Sequence, residues 1–194
     1  MKPLAAMMAR AFFHDPPLVW MMPNPATRLP RIASEFTILA GIQALRHGGV
    51  DVACAGGEIV GGAIWLPPGH WQPAFSVQIR ALPAHAWALR ARPSRSFRLG
   101  RAMANAHPEE PHWYLEAIGV DPAWQGRGVA GLLLRSRLKQ CDRDRQPAYL
   151  EAGQPGLVPL YEHFGFRRTS ELNLPRGAPV ITPMWRAPAA PGTD

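Results

Sequence analysis

Apolar residues recur at helical spacing in two segments near the start of the chain. Residues 3–14 (PLAAMMARAFFH) predict a first helix, which Asp15-Pro16-Pro17 ends because proline cannot continue a helix. Residues 30–47 predict a second helix, and Gly48-Gly49 follows it. Its apolar positions lie three or four residues apart and are Ile32, Phe36, Leu39, Ile42 and Leu45. Two helices are therefore expected before any strand.

Two short runs of strand-forming residues come next. DVACA (51–55) and EIVGGAIWL (58–66) are separated by Gly56-Gly57, a pair that is typical of a tight hairpin turn. Residues 67–108 are interrupted by prolines and predict loops with one or two helices.

The second half of the chain alternates strands and helices. HWYLEAIGV (112–120) predicts a strand rich in aromatic and branched residues. Residues 127–140 predict an amphipathic helix, with Leu132, Leu133 and Leu134 inside and Arg135, Arg137 and Lys139 outside. The remaining predicted elements are a strand at 147–152, a short helix at 157–164 and two closing strands within 166–174 and 180–186. This order predicts one mixed α/β domain over residues 1–186, with a flexible tail at 187–194.

Charge adds a preference for anionic partners. The chain of 194 residues has 21 Lys and Arg against 14 Asp and Glu, a formal net charge of +7. Only Lys2 and Lys139 are lysines, and arginine is the better bidentate partner for phosphate and carboxylate. A phosphorylated cofactor and a nucleic acid both fit this balance.

The middle segment carries six of the arginines and has no acidic residue between Glu58 and Glu109. They are Arg80, Arg90, Arg92, Arg95, Arg98 and Arg101. A nucleic-acid-binding arm and a solvated helix face are the two interpretations. The second is favoured because no aromatic residues are interleaved for base stacking.

Other function classes find little support. Two cysteines, Cys54 and Cys141, are too few for a disulfide framework or a zinc cluster, so no metal is expected. No apolar run reaches the roughly 18 residues of a membrane-spanning helix, and the start lacks a signal-peptide cleavage site. We therefore expect a cytoplasmic protein without a membrane partner.

The most informative stretch is a glycine-rich turn between a predicted strand and a predicted helix. It runs from Gln125 to Gly131 (QGRGVAG). A helix start leaves backbone N–H groups unpaired, and glycines let the backbone approach an anion, so this turn can cradle a pyrophosphate. An ordinary tight turn explains the same glycines. The stretch is neither a Walker loop nor the GxGxxG pattern of dinucleotide-binding folds.

Here the residues resemble a known family. Gln125-x-x-Gly128-x-Ala130 after LEAIGVDPAW looks like the acyl-CoA pyrophosphate loop of the GNAT N-acetyltransferase superfamily. YLEAGQPGLVPLYEHFGF (149–166) looks like its later strand, helix and Tyr-x-x-x-Gly-Phe signature. Within the superfamily, HWYLEAIGVDPAWQGRGVAG and RGAPVITPMWR look most like the puromycin-acetyltransferase-type subgroup.

The resemblance implies a fold and a cofactor. The fold is an α/β (α+β) domain with a mixed, mostly antiparallel central sheet, splayed between its fourth and fifth strands and flanked by helices. Family members usually begin with a strand before the first helix, whereas this chain starts almost in that helix. Either that edge strand is missing or the given start lies too far downstream. The cofactor is acetyl-CoA. By the resemblance its contacts are Ile118, Gly119 and Val120 for the pantetheine arm and Gln125, Gly126, Arg127, Gly128, Val129, Ala130 and Gly131 for the pyrophosphate.

Two further positions follow from the same resemblance. Tyr161 matches the tyrosine that protonates the departing thiolate. Gln154 stands where the family often has Asn, and its amide makes the same hydrogen bonds from a longer stem. The implied reaction is direct attack of a primary amine on acetyl-CoA in a ternary complex, in a monomer or homodimer.

Glu116 is the candidate general base. It precedes Ile118 by two residues, so strand alternation places both on one face, and a half-buried carboxylate there can accept a proton through water. A salt-bridged structural carboxylate and an anchor for the substrate ammonium remain open alternatives. His112 and Tyr114 share the same parity and are weaker candidates.

The acceptor is indicated only by aromatic residues near the first helix and the early hairpin. Trp20 and Trp65 border the acceptor pocket by the resemblance and suit a bulky amine, such as an antibiotic or other xenobiotic. An ordinary core cluster fits them equally well. A peptide or protein amine is the alternative acceptor. A non-catalytic acyl-CoA sensor or a basic nucleic-acid-binding module is the alternative function.

Overall fold

The structure of the chain is a computed structural model that describes residues 1–72, 87, 93–170, 172 and 174–190. Its helices are α1 (Lys2–Ala11), α2 (Pro16–Met21), α3 (Pro25–Ile38), α4 (Pro93–Ala106), α5 (Val129–Arg143) and α6 (Val158–His163). Its strands are β1 (Val50–Ala55), β2 (Glu58–Leu66), β3 (Trp113–Val120), β4 (Ala148–Ala152), β5 (Arg167–Arg168) and β6 (Thr182–Arg186). The predicted hairpin and the strand–helix alternation of the second half are confirmed.

The described strands form one sheet in the order β1-β2-β3-β4-β6-β5. Every neighbouring pair is antiparallel except β3 and β4, which run parallel. Helix α5 makes the crossover that a parallel pair requires. The expected mixed, mostly antiparallel sheet flanked by helices is therefore confirmed.

The sheet opens between its two parallel strands. Their pairing covers only Trp113 to Leu115 against Ala148 to Leu150, although β3 continues to Val120 and β4 to Ala152. The splay therefore lies between the third and fourth strands of this chain. The sequence analysis predicts the splay between the fourth and fifth strands, in a numbering that includes a strand before the first helix. The first described element of this chain is α1, so the same opening falls one strand earlier.

Two hydrophobic cores cover the two faces of the sheet. One face packs on α5 and α6 through buried residues that include Trp65, Leu115 and Leu134. The other packs on α1 and α3 through Met8, Ile32 and Ala117. Because both faces are covered, the open end of the splay is where a ligand can reach the centre of the sheet.

The N-terminal helices differ from the sequence prediction. Asp15 does not simply end the first helix: its side chain accepts a hydrogen bond from the Leu18 N–H and caps α2, in which Pro16 occupies the first turn. The second predicted helix ends its α-helical part at Ile38 and continues as a π-turn (Leu39–Ala44) and a 3₁₀ turn (Leu45–His47). The wider turn rotates the apolar face, so Leu45 is exposed rather than buried.

Helix α5 also departs from its predicted orientation at two positions. Leu132 is exposed, whereas Leu133 and Leu134 are buried as predicted. Arg137 is buried, because it pairs with Asp51 of β1 through contacts of 2.8 and 3.0 Å and donates to the Gly48 carbonyl at 2.8 Å. Its guanidinium also lies 4.8 Å from the centre of the Trp113 ring. These partners make burial of the charge tolerable.

Removing the Arg137 charge should destabilise the fold. We expect Arg137→Met to lower the free energy of unfolding by about 2–3 kcal/mol, because Asp51 and the Gly48 carbonyl lose their shared donor. Lys139→Met, on the exposed side of the same helix, is the matched control and should change it by less than about 0.5 kcal/mol. Urea denaturation of the three proteins measures both effects, and equal midpoints would contradict the role given to Arg137.

Within the described part of the chain, no helix is long and apolar enough to cross a membrane. Residues 191–194 of the predicted tail, and Arg80, Arg90 and Arg92, lie outside the described residues. The preceding part of the tail contacts α5, since the Ala189 N–H donates to Asp142 at 2.7 Å.

Candidate functional site

The glycine-rich turn forms an open anion-binding geometry at the start of α5. Gly126 and Gly128 have φ angles of +74° and +77°, which residues with a Cβ rarely adopt. Gly128 is the N-cap of α5, and no side chain caps the helix. The N–H groups of the first turn therefore point out of the helix end, where an anion is favoured.

A cavity of about 590 Å³ lies between this turn and the open end of the sheet, and we call it the loop cavity. Eleven predicted site residues line it: Ile118, Gly119, Val120, Gln125, Gly126, Gly128, Val129, Ala130, Gly131, Gln154 and Tyr161. Arg127 is the exception, since its guanidinium lies over the ring of Trp124, 4.8 Å from the centre. The fold thus brings together nearly all the residues that the sequence assigns to the cofactor.

The far end of β3 offers a free backbone edge to this cavity. Ile118 to Val120 pair with β2 on one side, while β4 has already diverged on the other. A Cβ on Gly119 would lie 2.8 Å from the Phe12 ring and 3.0 Å from the Met8 sulfur, so a larger residue here would require these side chains to move.

Two glutamines hold the cavity walls in place. The Gln125 amide donates to the Val120 carbonyl at 3.2 Å and ties the turn to the end of β3. Gln154 makes a side-chain hydrogen bond with Asp15, which links the end of β4 to the N-cap of α2. Their side chains therefore have protein partners, and their positions at the cavity wall result from those contacts.

Tyr161 faces the loop cavity from α6. Burial, and secondly the nearby Asp15 carboxyl, raise the pKa of Tyr161 to about 12. The phenol is therefore protonated at neutral pH and can donate a proton.

A second cavity, of about 360 Å³, lies on the other side of Phe12 and Asp15, which line both cavities. Three glutamates also line it: Glu35, Glu116 and Glu151. Its other walls are mostly apolar side chains of α2, α3 and α4. We call it the acidic cavity.

A β-bulge at Glu116 places Ile118 on the opposite face of the sheet from Glu116. Ala117 pairs with Ile64 and Leu115 with the adjacent Trp65, so Glu116 has no partner on β2. The extra residue reverses the alternation of β3. Ile118 consequently packs with the α5 core, while Glu116 lines the acidic cavity with Ala117. The prediction that Glu116 and Ile118 share a face is therefore wrong.

Burial changes the acid–base properties of both strand glutamates. The pKa of Glu116 is raised to about 7, mainly by desolvation. A hydrogen bond from Tyr114 lowers this pKa, and the nearby Glu35 carboxyl raises it. The pKa of Glu151 also rises to about 7, mainly through desolvation. Burial likewise raises the pKa of Asp15 to about 6. All three groups can therefore exchange a proton near neutral pH.

The two predicted acceptor tryptophans lie elsewhere. Trp65 is fully buried in the core between the sheet and α5 and lines neither cavity. Side chains alternate between the two faces of the sheet along β2, and Trp65 points to the face opposite the acidic cavity. The structure therefore does not support the predicted contact of Trp65 with substrate. Trp20, on α2, packs instead under Arg95 of α4, whose guanidinium lies 5.0 Å from the ring centre. Leu18 and Met21 of the same helix line the acidic cavity.

Comparison with known proteins identifies the family. A model of the Acetyltransferase (GNAT) family matches residues 17–166, more than half of the chain. The chain belongs to the GNAT acetyltransferase family. The GNAT fold, the enzyme class and the predicted activity as an acyltransferase are thereby confirmed.

Individual GNAT relatives agree with this assignment. An uncharacterized N-acetyltransferase of Schizosaccharomyces pombe is 26% identical over 189 residues, which cover 90% of this chain and 74% of the relative. A Corynebacterium glutamicum structure, described as histone acetyltransferase HPA2 and related acetyltransferase, is 27% identical with a TM-score of 0.73 and covers 97% of this chain and 91% of that one. Arylalkylamine N-acetyltransferase 2 of Aedes aegypti shares the fold, at 14% identity, with a TM-score of 0.63 and coverage of 95% and 93%.

The GNAT cofactor is acetyl-CoA, and the loop cavity fits it. The uncapped start of α5 can bind a pyrophosphate, and the free edge of β3 can pair with an extended amide chain such as pantetheine. Among the described residues, no cluster of three or more His, Cys, Asp or Glu side chains could hold a metal ion.

Sequence reasoning missed two residues of this GNAT site. Asp15 looks like a helix breaker before Pro16-Pro17, and only the structure places it between the two cavities. Glu151 is not among the residues predicted from the sequence, although it follows apolar residues on a buried strand. A lone acid at the end of such a strand was the signal that could have identified it.

Proposed function

We propose that the protein transfers an acetyl group from acetyl-CoA to the primary amine of a small molecule, by direct attack in a ternary complex. The observation that carries this proposal is the meeting of two cavities at Phe12 and Asp15. One cavity has an anion-binding loop and a free strand edge, and the other has buried carboxyls that suit an amine.

The residues that would hold acetyl-CoA are those of the loop cavity. Backbone N–H groups from Gly128 to Gly131 would bind the pyrophosphate, helped by the positive end of the α5 dipole. Ile118 to Val120 would pair with the pantetheine arm through their free backbone edge. When bound, acetyl-CoA supplies the acetyl group as a thioester.

The proton transfers are assigned to Glu116 and Tyr161. An amine arrives as an ammonium and must lose a proton before it can attack, and Glu116, in its ionised form, would accept that proton through water. The Tyr161 phenol would donate its proton to the departing thiolate sulfur. Asp15, between the two cavities, would hold Gln154 in position.

The size of the acidic cavity supports a small acceptor. Its volume of about 360 Å³ lies at the lower end of the range for small-molecule pockets, roughly 300–1,000 Å³. The Aedes aegypti neighbour is named for arylalkylamines, which are small amines. The name of the Corynebacterium glutamicum relative includes histone acetyltransferase, so a protein amine is the second candidate acceptor. The puromycin-type subgroup and a monomeric or homodimeric assembly remain predictions.

Calorimetric titration of the purified protein with acetyl-CoA tests the proposal, with CoA and ATP as the comparison ligands. Micromolar binding of acetyl-CoA, with none of ATP, is the expected result. A folded protein that does not bind acetyl-CoA would overturn the proposal. Binding of a nucleic acid whose affinity falls steeply with salt would then support the basic-module alternative.

Tyr161→Phe tests the proton donor. We expect kcat to fall roughly 10- to 100-fold, because the departing thiolate loses its proton source. The dissociation constant of acetyl-CoA should stay within about twofold, since the ring and its packing against Phe166 are kept. Stopped-flow measurement of the acetyl-transfer step gives the first value and calorimetry the second. Turnover equal to that of the wild type would remove Tyr161 from the mechanism.

A further inference from the structure

One arginine stands among the described residues that line the loop cavity. It is Arg135, in the second turn of α5, whereas Arg127 lies over the Trp124 ring instead. The carboxyl in the described lining is that of Asp15, at the place where this cavity meets the acidic cavity. Arg135 lines the loop cavity alone, so the two charges are kept apart. An anionic group is therefore favoured on the Arg135 side of the cavity.

The guanidinium of Arg135 leans back toward the start of its helix. Gly131 and Arg135 are four residues apart and share one face of α5, and long helical side chains point toward the N-terminal end. One guanidinium nitrogen lies 3.6 Å from the position that a Cβ on Gly131 would take. Gly131 belongs to the first turn, whose N–H groups can bind an anion. The positive charge is therefore held close to the proposed pyrophosphate position.

Phe164, at the end of α6, supports this guanidinium from below. The guanidinium carbon lies 5.3 Å from the centre of the Phe164 ring, an arrangement that attracts a cation to the ring face. This contact restricts the side chain but leaves its N–H groups free. Among the described residues, Arg135 has no hydrogen-bond or ion-pair partner. The guanidinium is thus positioned by an apolar contact and keeps its donors for a ligand.

Acetyl-CoA carries a phosphate that suits this guanidinium. Besides the pyrophosphate, the molecule has a phosphate on the 3′-oxygen of its adenosine ribose. The pyrophosphate joins the adenosine to the pantetheine arm, so the two parts leave it in different directions. In the proposed binding mode the pantetheine arm pairs with β3, and the adenosine extends from the loop on the side away from that strand. Arg135 lines the cavity beyond the loop, along α5.

We propose that Arg135 binds the 3′-phosphate of acetyl-CoA and makes the protein selective for the 3′-phosphorylated cofactor. This inference rests on the proposed function and deepens it at the cofactor end of the site. A planar guanidinium with free N–H groups binds a phosphate through two parallel hydrogen bonds. The pyrophosphate is bound by backbone N–H groups of the loop, so the two phosphate groups have separate partners.

The test compares acetyl-CoA with acetyl-(3′-dephospho)-CoA, which lacks that one phosphate. Calorimetry of the purified protein, with no amine present, gives the two dissociation constants. The wild type should bind acetyl-CoA at least ~5-fold more tightly, a value between those of an exposed ion pair and of a hydrogen-bonded charge, because Arg135 is exposed. Added salt should reduce this ratio, since exposed charges are screened.

Variants of α5 assign the selectivity to one residue. Arg135→Gln should bind acetyl-CoA at least ~5-fold more weakly than the wild type and the dephospho compound within about twofold of it, which brings the ratio near one. Arg135→Lys keeps the charge without the planar fork and should retain part of the ratio. Lys139→Gln is the matched control, because it removes a charge from an exposed position of the same helix that does not line the cavity. Its two dissociation constants should stay within about twofold of the wild type.

The outcomes separate this inference from the proposed function. A folded wild-type protein that binds neither compound overturns the proposed function. Equal wild-type affinities for the two compounds overturn the inference alone. If Arg135→Gln weakens both compounds by the same factor, the guanidinium acts on the pyrophosphate and the inference is wrong. An unchanged ratio in Arg135→Gln, with a wild-type midpoint in urea denaturation, also overturns it.

Discussion

Ala130→Glu is expected to weaken acetyl-CoA binding at least ~100-fold, because it places a carboxylate beside the anion-binding end of α5. Ala130 is the second residue of that helix and lines the loop cavity. The helix itself should tolerate the change, since an acidic residue is favourable in the first turn. The loss would therefore come from repulsion of the pyrophosphate and from the blocked N–H groups.

Ser136→Glu is the matched control for this variant. It adds the same charge to an exposed position on the same helix, away from the loop. We expect its acetyl-CoA dissociation constant to stay within about twofold of the wild type, as screened surface charges act weakly at this distance. Calorimetry at physiological salt compares the three proteins. Wild-type affinity in a folded Ala130→Glu protein would show that the phosphates bind elsewhere.

Glu116→Gln is expected to lower kcat roughly 10²- to 10³-fold while leaving acetyl-CoA binding unchanged. The amide keeps the size of the side chain but cannot accept a proton from the amine, and general base catalysis is worth about 10²–10⁴-fold. Turnover of an accepted amine at pH 8 measures the loss. A variant with wild-type kcat would transfer the role of base to another group, of which Asp15 is the first to test.

The pH dependence of kcat/KM in the wild type should follow the ionisation of the Glu116 carboxyl. Its pKa is about 7, so Glu116 is protonated and inactive as a base below that pH. We expect kcat/KM to rise as pH increases through about 7, with Glu151, Glu35 and Tyr114 as the neighbouring groups that shape the titration. The rise in kcat/KM near pH 7 should be absent from the Glu116→Gln variant.

Stability should change in the opposite direction to activity. The pKa of Glu116 is raised from 4.5 in the unfolded chain to about 7, so the folded state binds the proton more tightly and loses stability as pH rises through this range. Glu116→Gln avoids that loss and should be more stable than the wild type at pH 8, by roughly 2 kcal/mol, and equal to it near pH 4.5. The exposed Glu58→Gln is the control and should show no such difference. Urea denaturation at the two pH values gives both comparisons.

Much of the fold could be predicted because it is encoded by short-range patterns. The hairpin follows from Gly56-Gly57 between two strand-forming runs, and its turn residues have φ angles of +58° and +83°. Each predicted strand of the hairpin agrees with the structure within one residue at either end. The π-turn after Ile38 was not predictable from spacing, because the same apolar residues fit a continuous α-helix.

The sequence by itself determined the GNAT family, the glycine-rich turn before α5 and the place of Tyr161 on α6, because these are contiguous motifs whose geometry is set by neighbouring residues. Gln125 to Gly131 must form a strand–turn–helix junction wherever it lies, and Tyr161 stays on the same helix face. Only the tertiary structure decided the acceptor side. A bulge at Glu116, visible only from its pairing with β2, turned that carboxyl away from Ile118, and three separate segments brought Asp15, Glu116 and Glu151 together. Contacts between residues distant in sequence, and the burial that raises their pKa values, arise from packing and leave no local pattern.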